Sequence, residues 1–230
     1  MLTTRFKINY SIGAIANGIK TDAFTFFLLF FYSRVIGLDP LLASSAIALA
    51  LIIDSITDPL MGAISDRTKT RFGRRHPYML VSFIPITFFY ILLFSPQESW
   101  ELSQNQLFWW MFLCATFTRI GITLFEVPHR SFGAEISNDY HERTKLFSWR
   151  ELFAWTAGIS NAFFAYFVFF RSTPEYPQGQ LNPEAYFDLA LLGGFVMAVS
   201  IIFSTISTRN EVNNLSSWKG TTQLNHILNE

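Results

Sequence analysis

The feature that most constrains this chain is a series of six apolar stretches, near residues 10–32, 40–64, 77–94, 107–127, 146–170 and 189–207, separated by short charged connections. Each is about as long as the ~20 residues a helix needs to cross a bilayer. Their near-continuous apolarity favours helices over barrel strands, whose segments of about 10 residues alternate polar and apolar positions. The expected fold is an all-α membrane protein of six transmembrane helices. Half of the 230 residues are hydrophobic and 15% charged, which excludes a disordered chain, and 17 basic residues cancel 17 acidic ones. That balance leaves no global positive field for a nucleic-acid partner. Cys114, the single cysteine, lies inside the fourth stretch, which excludes an intrachain disulfide and a Cys-based metal cluster. Residues 8–18 hold neither a compact apolar core nor a small-residue cleavage site, so the first stretch is expected to be retained.

The loop charges set a direction. Arg5 and Lys7, then Arg67, Lys69, Arg71, Arg74 and Arg75, then Arg130, Arg143 and Lys145, then Arg209 and Lys219 fall on one side. The other side holds only Arg34 and Arg171, against Asp39, Glu98, Glu101, Glu175, Glu184 and Asp188. By the positive-inside rule both termini are expected in the cytoplasm, and the chain in the cell (inner) membrane as a multi-pass protein. Residues 1–208 form one six-helix bundle, and the polar residues 209–230 form a cytoplasmic tail too short to fold alone.

Eight charges remain within or near the spans: Lys20, Asp22, Asp54, Asp58, Arg119, Glu126, Arg150 and Glu151. Each costs roughly 2.5–3.5 kcal/mol in mid-bilayer on insertion scales, so each is expected to face protein or a wet cavity. Asp54 and Asp58 stand at i and i+4 on one helix face, too close for two bare carboxylates, so one takes a proton or both take a cation. Pro59 denies the Ser55 carbonyl its helical donor and leaves a hard oxygen free for an alkali cation, while Gly62 would let a neighbouring helix approach. The other reading of the aspartates is a set of ion pairs with Arg119 or Lys20. Arg119, Thr123 and Glu126 fall on one stripe of the fourth span, a polar wall or an internal bridge. Arg150 opens the fifth span, where its guanidinium either meets a substrate or snorkels to the interface. Lys20 and Asp22 lie on different faces of the first span. Phe24, Phe26, Phe27, Phe30 and Phe31 read as packing and lipid-facing groups.

The connection GAISDRTKTRFGRR, with Gly62, Asp66, Arg67, Gly73, Arg74 and Arg75, resembles the loop signature of the major facilitator superfamily. With IDSITDPLMG before it, HPYM after it and EVPHRSFGAEISNDYHERTKLFSWR at 126–150, the chain is similar to the glycoside-pentoside-hexuronide:cation symporters over residues 8–208. That resemblance implies the amino-terminal half of the major facilitator fold and a loop whose charges favour one state of the transport cycle. It assigns the coupling cation, Na⁺ or H⁺, to Asp54, Asp58 and Thr123, with Thr57 standing where the family has an asparagine and the Ser55 carbonyl adjoining. It assigns substrate to Glu126 and Arg150, and the polar positions Arg119 and Asp22 join that set. The family's first-helix aspartate falls on Gly18, its preceding lysine on Asn17 and a fourth-helix tryptophan on Arg130, and Asp22, one turn beyond Gly18, is positioned to substitute.

The expected function is therefore cation-coupled transport of sugars or glycosides, carried by a half-length chain that pairs with a second half or another copy. No cofactor beyond the coupling ion, no other metal and no enzymatic activity are expected, since no span carries a nucleophile–base set. A membrane-embedded interaction or regulatory protein with the same half-fold and a cation-independent facilitator are the rival readings.

Overall fold

Helix starts follow from local capping chemistry. Thr3, Asp39, Ser103, Asp139 and Asn182 each accept a backbone N–H of the following turn through their side chains, and Ser103 completes a capping box with Gln106. Pro40 and Pro183 occupy first-turn positions, where no backbone N–H is needed. The computed structural model describes residues 2–68, 70, 72–137 and 139–209, with the Glu98 side chain left out. It contains six helices long and apolar enough to span a membrane: α1 Thr4–Val35, α2 Pro40–Arg67, α3 His76–Leu93, α4 Gln104–Glu135, α5 Tyr140–Phe169 and α6 Pro183–Ser207. Among the described residues there is no strand. The chain is an all-α, six-span membrane protein. Several helices run past the apolar stretches, because polar first and last turns continue the helix on either side of the hydrocarbon. Of the tail expected over 209–230, only Arg209 is described; Lys69 and Arg71 of the loop after α2 also lie outside the described residues.

The packing shows an internal repeat. α1 packs on α5 and α6, α4 packs on α2 and α3, and α3 packs on α6. Exchanging α1–α3 with α4–α6 maps α1–α5 onto α4–α2 and α1–α6 onto α4–α3, the relation expected of a three-plus-three repeat within a six-helix half. The α1–α5 crossing brings main chain against main chain. A Cβ on Gly18 would lie 2.1 Å from the Ala154 carbonyl oxygen, and one on Gly158 would lie 3.3 Å from the Gly18 oxygen. Small residues thus let two backbones touch. Gly62, expected to serve such an approach, has ordinary room: its Cβ would meet Val127 Cγ1 at 3.7 Å.

Aromatic packing fills the centre. Phe31 and Phe170 lie 4.8 and 4.6 Å from Tyr186, ring centre to ring centre, and Phe27, Tyr90 and Phe94 surround them. Phe27 and Phe31 are buried there and Phe30 packs against the same core. Phe26 instead is 67% exposed, and Phe24 lies beneath the Arg119 guanidinium, 5.0 Å from ring centre to Cζ. α1 also departs from regular helix at Ala23–Phe27 and Phe31–Val35, where it widens to π geometry, as α5 does at Ala165–Phe169. Such bulges redirect side chains and recur at functional sites. α2 and α5 are the least covered helices, with Ile52, Ile56 and Leu60 on one and Trp155, Ile159 and Phe163 on the other exposed.

Candidate functional site

Two polar groups flank α1. The first lies between α2 and α4. One turn separates Asp54 from Asp58, and from the facing helix the Thr123 hydroxyl donates to Asp58 Oδ1 at 2.6 Å and stands 3.2 Å from Asp54 Oδ1. Arg119, one turn earlier on α4, donates to Asp54 Oδ2 at 2.8 Å. Two carboxylates, a hydroxyl and a guanidinium therefore meet within a single helix–helix contact. Arg119, expected with the substrate residues, stands in this group and not beside Glu126. Thr57 and Ser55 turn their hydroxyls to the carbonyls of Asp54 and Leu51, at 3.1 and 2.9 Å. Both hydroxyl oxygens keep lone pairs that a cation could take, and the Ser55 carbonyl, without a helical donor across Pro59, adds a main-chain oxygen. Among the described residues no third acidic, histidine or cysteine side chain joins the pair, so the donor set suits a monovalent cation or a proton.

The second group joins α4 to α5 and α1. Arg150 is fully buried and bonds both Glu126 and Glu151, while Arg130 donates from its Nε to the same Glu126 oxygen at 2.7 Å. Arg150 does not snorkel; it is the centre of a network of two cations and two carboxylates. Asp22, buried on α1, accepts from Asn161 Nδ2 of α5 at 2.7 Å. Beside it a cavity of about 530 Å³ opens between α1 and α5, with Asn17, Thr21, Asp22, Thr25 and Glu151 as its polar lining and Trp155, 71% exposed, as an aromatic wall. Glu151 is common to the cavity and the network, so the buried Arg150–Glu126 pair is joined through that one carboxylate to the cavity that Asp22 lines. Asn161 and Trp155 escaped the sequence reading, since one amide and one aromatic carry no spacing signal. The departure of α1 into π geometry directly after Asp22 was equally invisible.

At one end of the bundle the loop after α2 is fixed by charge. Arg75 pairs with Asp66 at 2.8 Å and with Glu135, at the end of α4, at 2.9 Å, and Arg74 adds a longer contact to Glu135 at 3.2 Å. Gly73 turns with φ +89°, a conformation that a side chain resists, whereas Arg67 stays exposed. Glu135 is the partner the loop motif did not name. At the same end Lys7 and Glu142 form a buried pair at 2.8 Å between α1 and α5. Tyr10 and His129 exchange bonds, the Tyr10 hydroxyl to the His129 carbonyl at 3.0 Å and the His129 Nε2 to the Tyr10 carbonyl at 3.1 Å.

Comparison with known proteins agrees with this architecture. A family profile described as MFS/sugar transport protein matches residues 9–227. An uncharacterised symporter of Synechocystis is 34% identical over 181 residues, 76% of this chain and 33% of that protein. A putative glycoside/cation symporter of Escherichia coli is 34% identical over 65% of this chain and 32% of its own length. A zebrafish sodium-dependent lysophosphatidylcholine symporter is 32% identical over 69% of this chain and 30% of its own length. The chain spans about a third of the length of the curated relatives it matches. The profile match begins within α1 and takes in the other five helices, the charged loop and both polar groups. The chain belongs to the MFS/sugar transport protein family and, within the major facilitator superfamily, to the glycoside-pentoside-hexuronide:cation symporters, as the six-helix amino-terminal half of that fold.

Proposed function

We propose that this chain is half of a cation-coupled symporter that carries a sugar or glycoside across the cell membrane. The observation that supports this reading most is the exposure of Asp58 and Glu151 on helices that span a bilayer. A bare carboxylate has no place against lipid, so the face that carries both lines a wet pathway or meets a second half. In this reading Asp54, Asp58 and Thr123, with the Ser55 carbonyl, take the coupling ion, either Na⁺ or H⁺. The cavity beside Asp22 takes the sugar: Asp22 and Glu151 accept hydroxyl protons, the Arg150 network fixes Glu151 and Glu126, and Trp155 covers an apolar sugar face. Cation and sugar then favour the same arrangement of the helices, and each raises the affinity of the other by one common factor.

The loop held by Asp66, Arg75 and Glu135 is a latch at the cytoplasmic end that opens as the halves rock. Both termini lie in the cytoplasm, and a second six-helix unit or another copy covers the exposed faces of α2 and α5. Uptake of labelled glycosides into vesicles that carry the protein, with and without an imposed Na⁺ or pH gradient, tests this. Gradient-dependent uptake that disappears in Asp58→Asn supports it. Uptake indifferent to any gradient would instead identify a facilitator, and no uptake or sugar binding would favour an interaction protein.

A further inference from the structure

One turn of α1 touches both polar groups. The widened turn Ala23–Phe27 begins directly after Asp22, and the Leu28 N–H closes it on the Ala23 carbonyl, five residues back. Such a turn holds one residue more than a regular one, so its side chains are re-aimed when it tightens or opens. Asp22, Thr25 and Phe26 line the cavity between α1 and α5. Phe24, from the same turn, meets the group between α2 and α4 instead: its ring centre lies 5.0 Å from Arg119 Cζ. Arg119 is loosely held for an arginine within a span. Of its five N–H donors, one is engaged among the described residues, by Asp54 Oδ2 at 2.8 Å. Its Nε is buried without a partner, and an unmet donor of this kind is costly. The guanidinium thus rests on one carboxylate oxygen of α2 and one aromatic face of α1.

We infer that Phe24 is a positioning residue that carries the state of the ion group to the sugar cavity, with Arg119 as the moving charge between them. This rests on the assignment of Asp54 and Asp58 to the coupling ion and of the Asp22 cavity to the sugar, and it adds the link that joins them. A metal ion or a proton on Asp54 cancels the charge that holds Arg119. The guanidinium then leaves its place against Phe24, and the ring loses a partner that attracts it only at close range. Freed on that side, the widened turn re-aims Thr25 and Phe26 together with Asp22, and the cavity changes shape. The linkage is reciprocal: a sugar that fixes the turn in this arrangement weakens the hold of Arg119 on Asp54 and so favours the ion.

A double-mutant cycle on the full chain in lipid nanodiscs tests the link without any ligand, because Asp54→Asn removes the charge that an ion or a proton cancels. The readout is the rate at which N-ethylmaleimide alkylates Thr25→Cys in a Cys114→Ser background. Asp54→Asn and Arg119→Met should each speed the reaction severalfold, and the two together no more than either alone. Phe24→Leu should remove the response to Asp54→Asn, whereas Phe24→Tyr, which keeps the ring, should retain it. A response that survives unchanged in Phe24→Leu, or a Thr25→Cys rate indifferent to Asp54→Asn, overturns the link. The ion assignment is judged separately by gradient-driven uptake in Asp58→Asn. Uptake lost there while the Thr25→Cys rate ignores Asp54→Asn overturns the link alone, and uptake unaffected by Asp58→Asn overturns the assignment and the link with it.

Discussion

The Thr123 hydroxyl of α4 joins two carboxylates of α2, donating to Asp58 at 2.6 Å while it stands 3.2 Å from Asp54. One side chain therefore holds the spacing of the candidate ion site across a helix interface. Thr123→Val keeps the shape and removes the only donor to Asp58 among the described residues. A hydrogen bond to a charged group contributes about 1.5–3 kcal/mol. Half-saturation of gradient-driven uptake by the coupling ion should therefore shift at least about tenfold, and Thr123→Ser should restore it.

Gly18 and Gly62 are predicted to differ sharply. A Cβ on Gly18 meets the Ala154 carbonyl, main chain that cannot step aside, so Gly18→Ala should destabilise the α1–α5 contact by about 1–3 kcal/mol. Gly18→Val should prevent a monodisperse protein. Gly62→Ala has space against Val127 and should leave the melting temperature in detergent close to that of the wild type.

The buried Arg150 binds Glu126 and Glu151 together. Its replacement by Met leaves Glu126 with Arg130 alone, itself half-exposed. Breaking a buried pair on one side costs about 3–5 kcal/mol, whereas removing both partners costs less. Arg150→Met should therefore lower thermal stability more than the double variant Arg150→Met/Glu126→Gln. Arg150→Met alone being as stable as the wild type would place that arginine outside the network.

Glu135 is the partner through which α4 fixes the loop after α2. In Glu135→Gln, Arg75 keeps Asp66 and loses its α4 contact, and Arg74 loses its own. The pairs are partly exposed and individually weak, so the expected effect is local: a severalfold faster proteolysis of the segment 68–75 with little change in global melting.

The six spans were legible in the sequence because lipid demands about 20 apolar residues per crossing. The pairing of the helices was not. It follows from features such as Gly18 against Ala154, which no hydropathy pattern records. The spacing of Asp54 and Asp58 announced a shared site, and Thr123 was brought to it by resemblance. That Arg119 binds Asp54 stood among the open readings, and only the α2–α4 contact shows it. Arg130 was counted with the loops, yet it lies within α4 and bonds Glu126. That assignment moves one cation into the span. With it, Glu126 and Glu151 are matched by Arg130 and Arg150, and Asp54 by Arg119. Asp22 is the carboxylate that meets a neutral amide instead.

The central claim is that the face shared by α2, α4 and α5 lines an aqueous pathway and that the outer face of α6 meets lipid. Single cysteines placed in a Cys114→Ser background at Asp58 and Glu151, and separately at the exposed Phe195 and Phe203 of α6, can be tested in membranes with a charged, impermeant thiol reagent. The account predicts rapid labelling at Asp58→Cys and Glu151→Cys and none at Phe195→Cys or Phe203→Cys. Equal protection at all four positions, or labelling confined to α6, would contradict it.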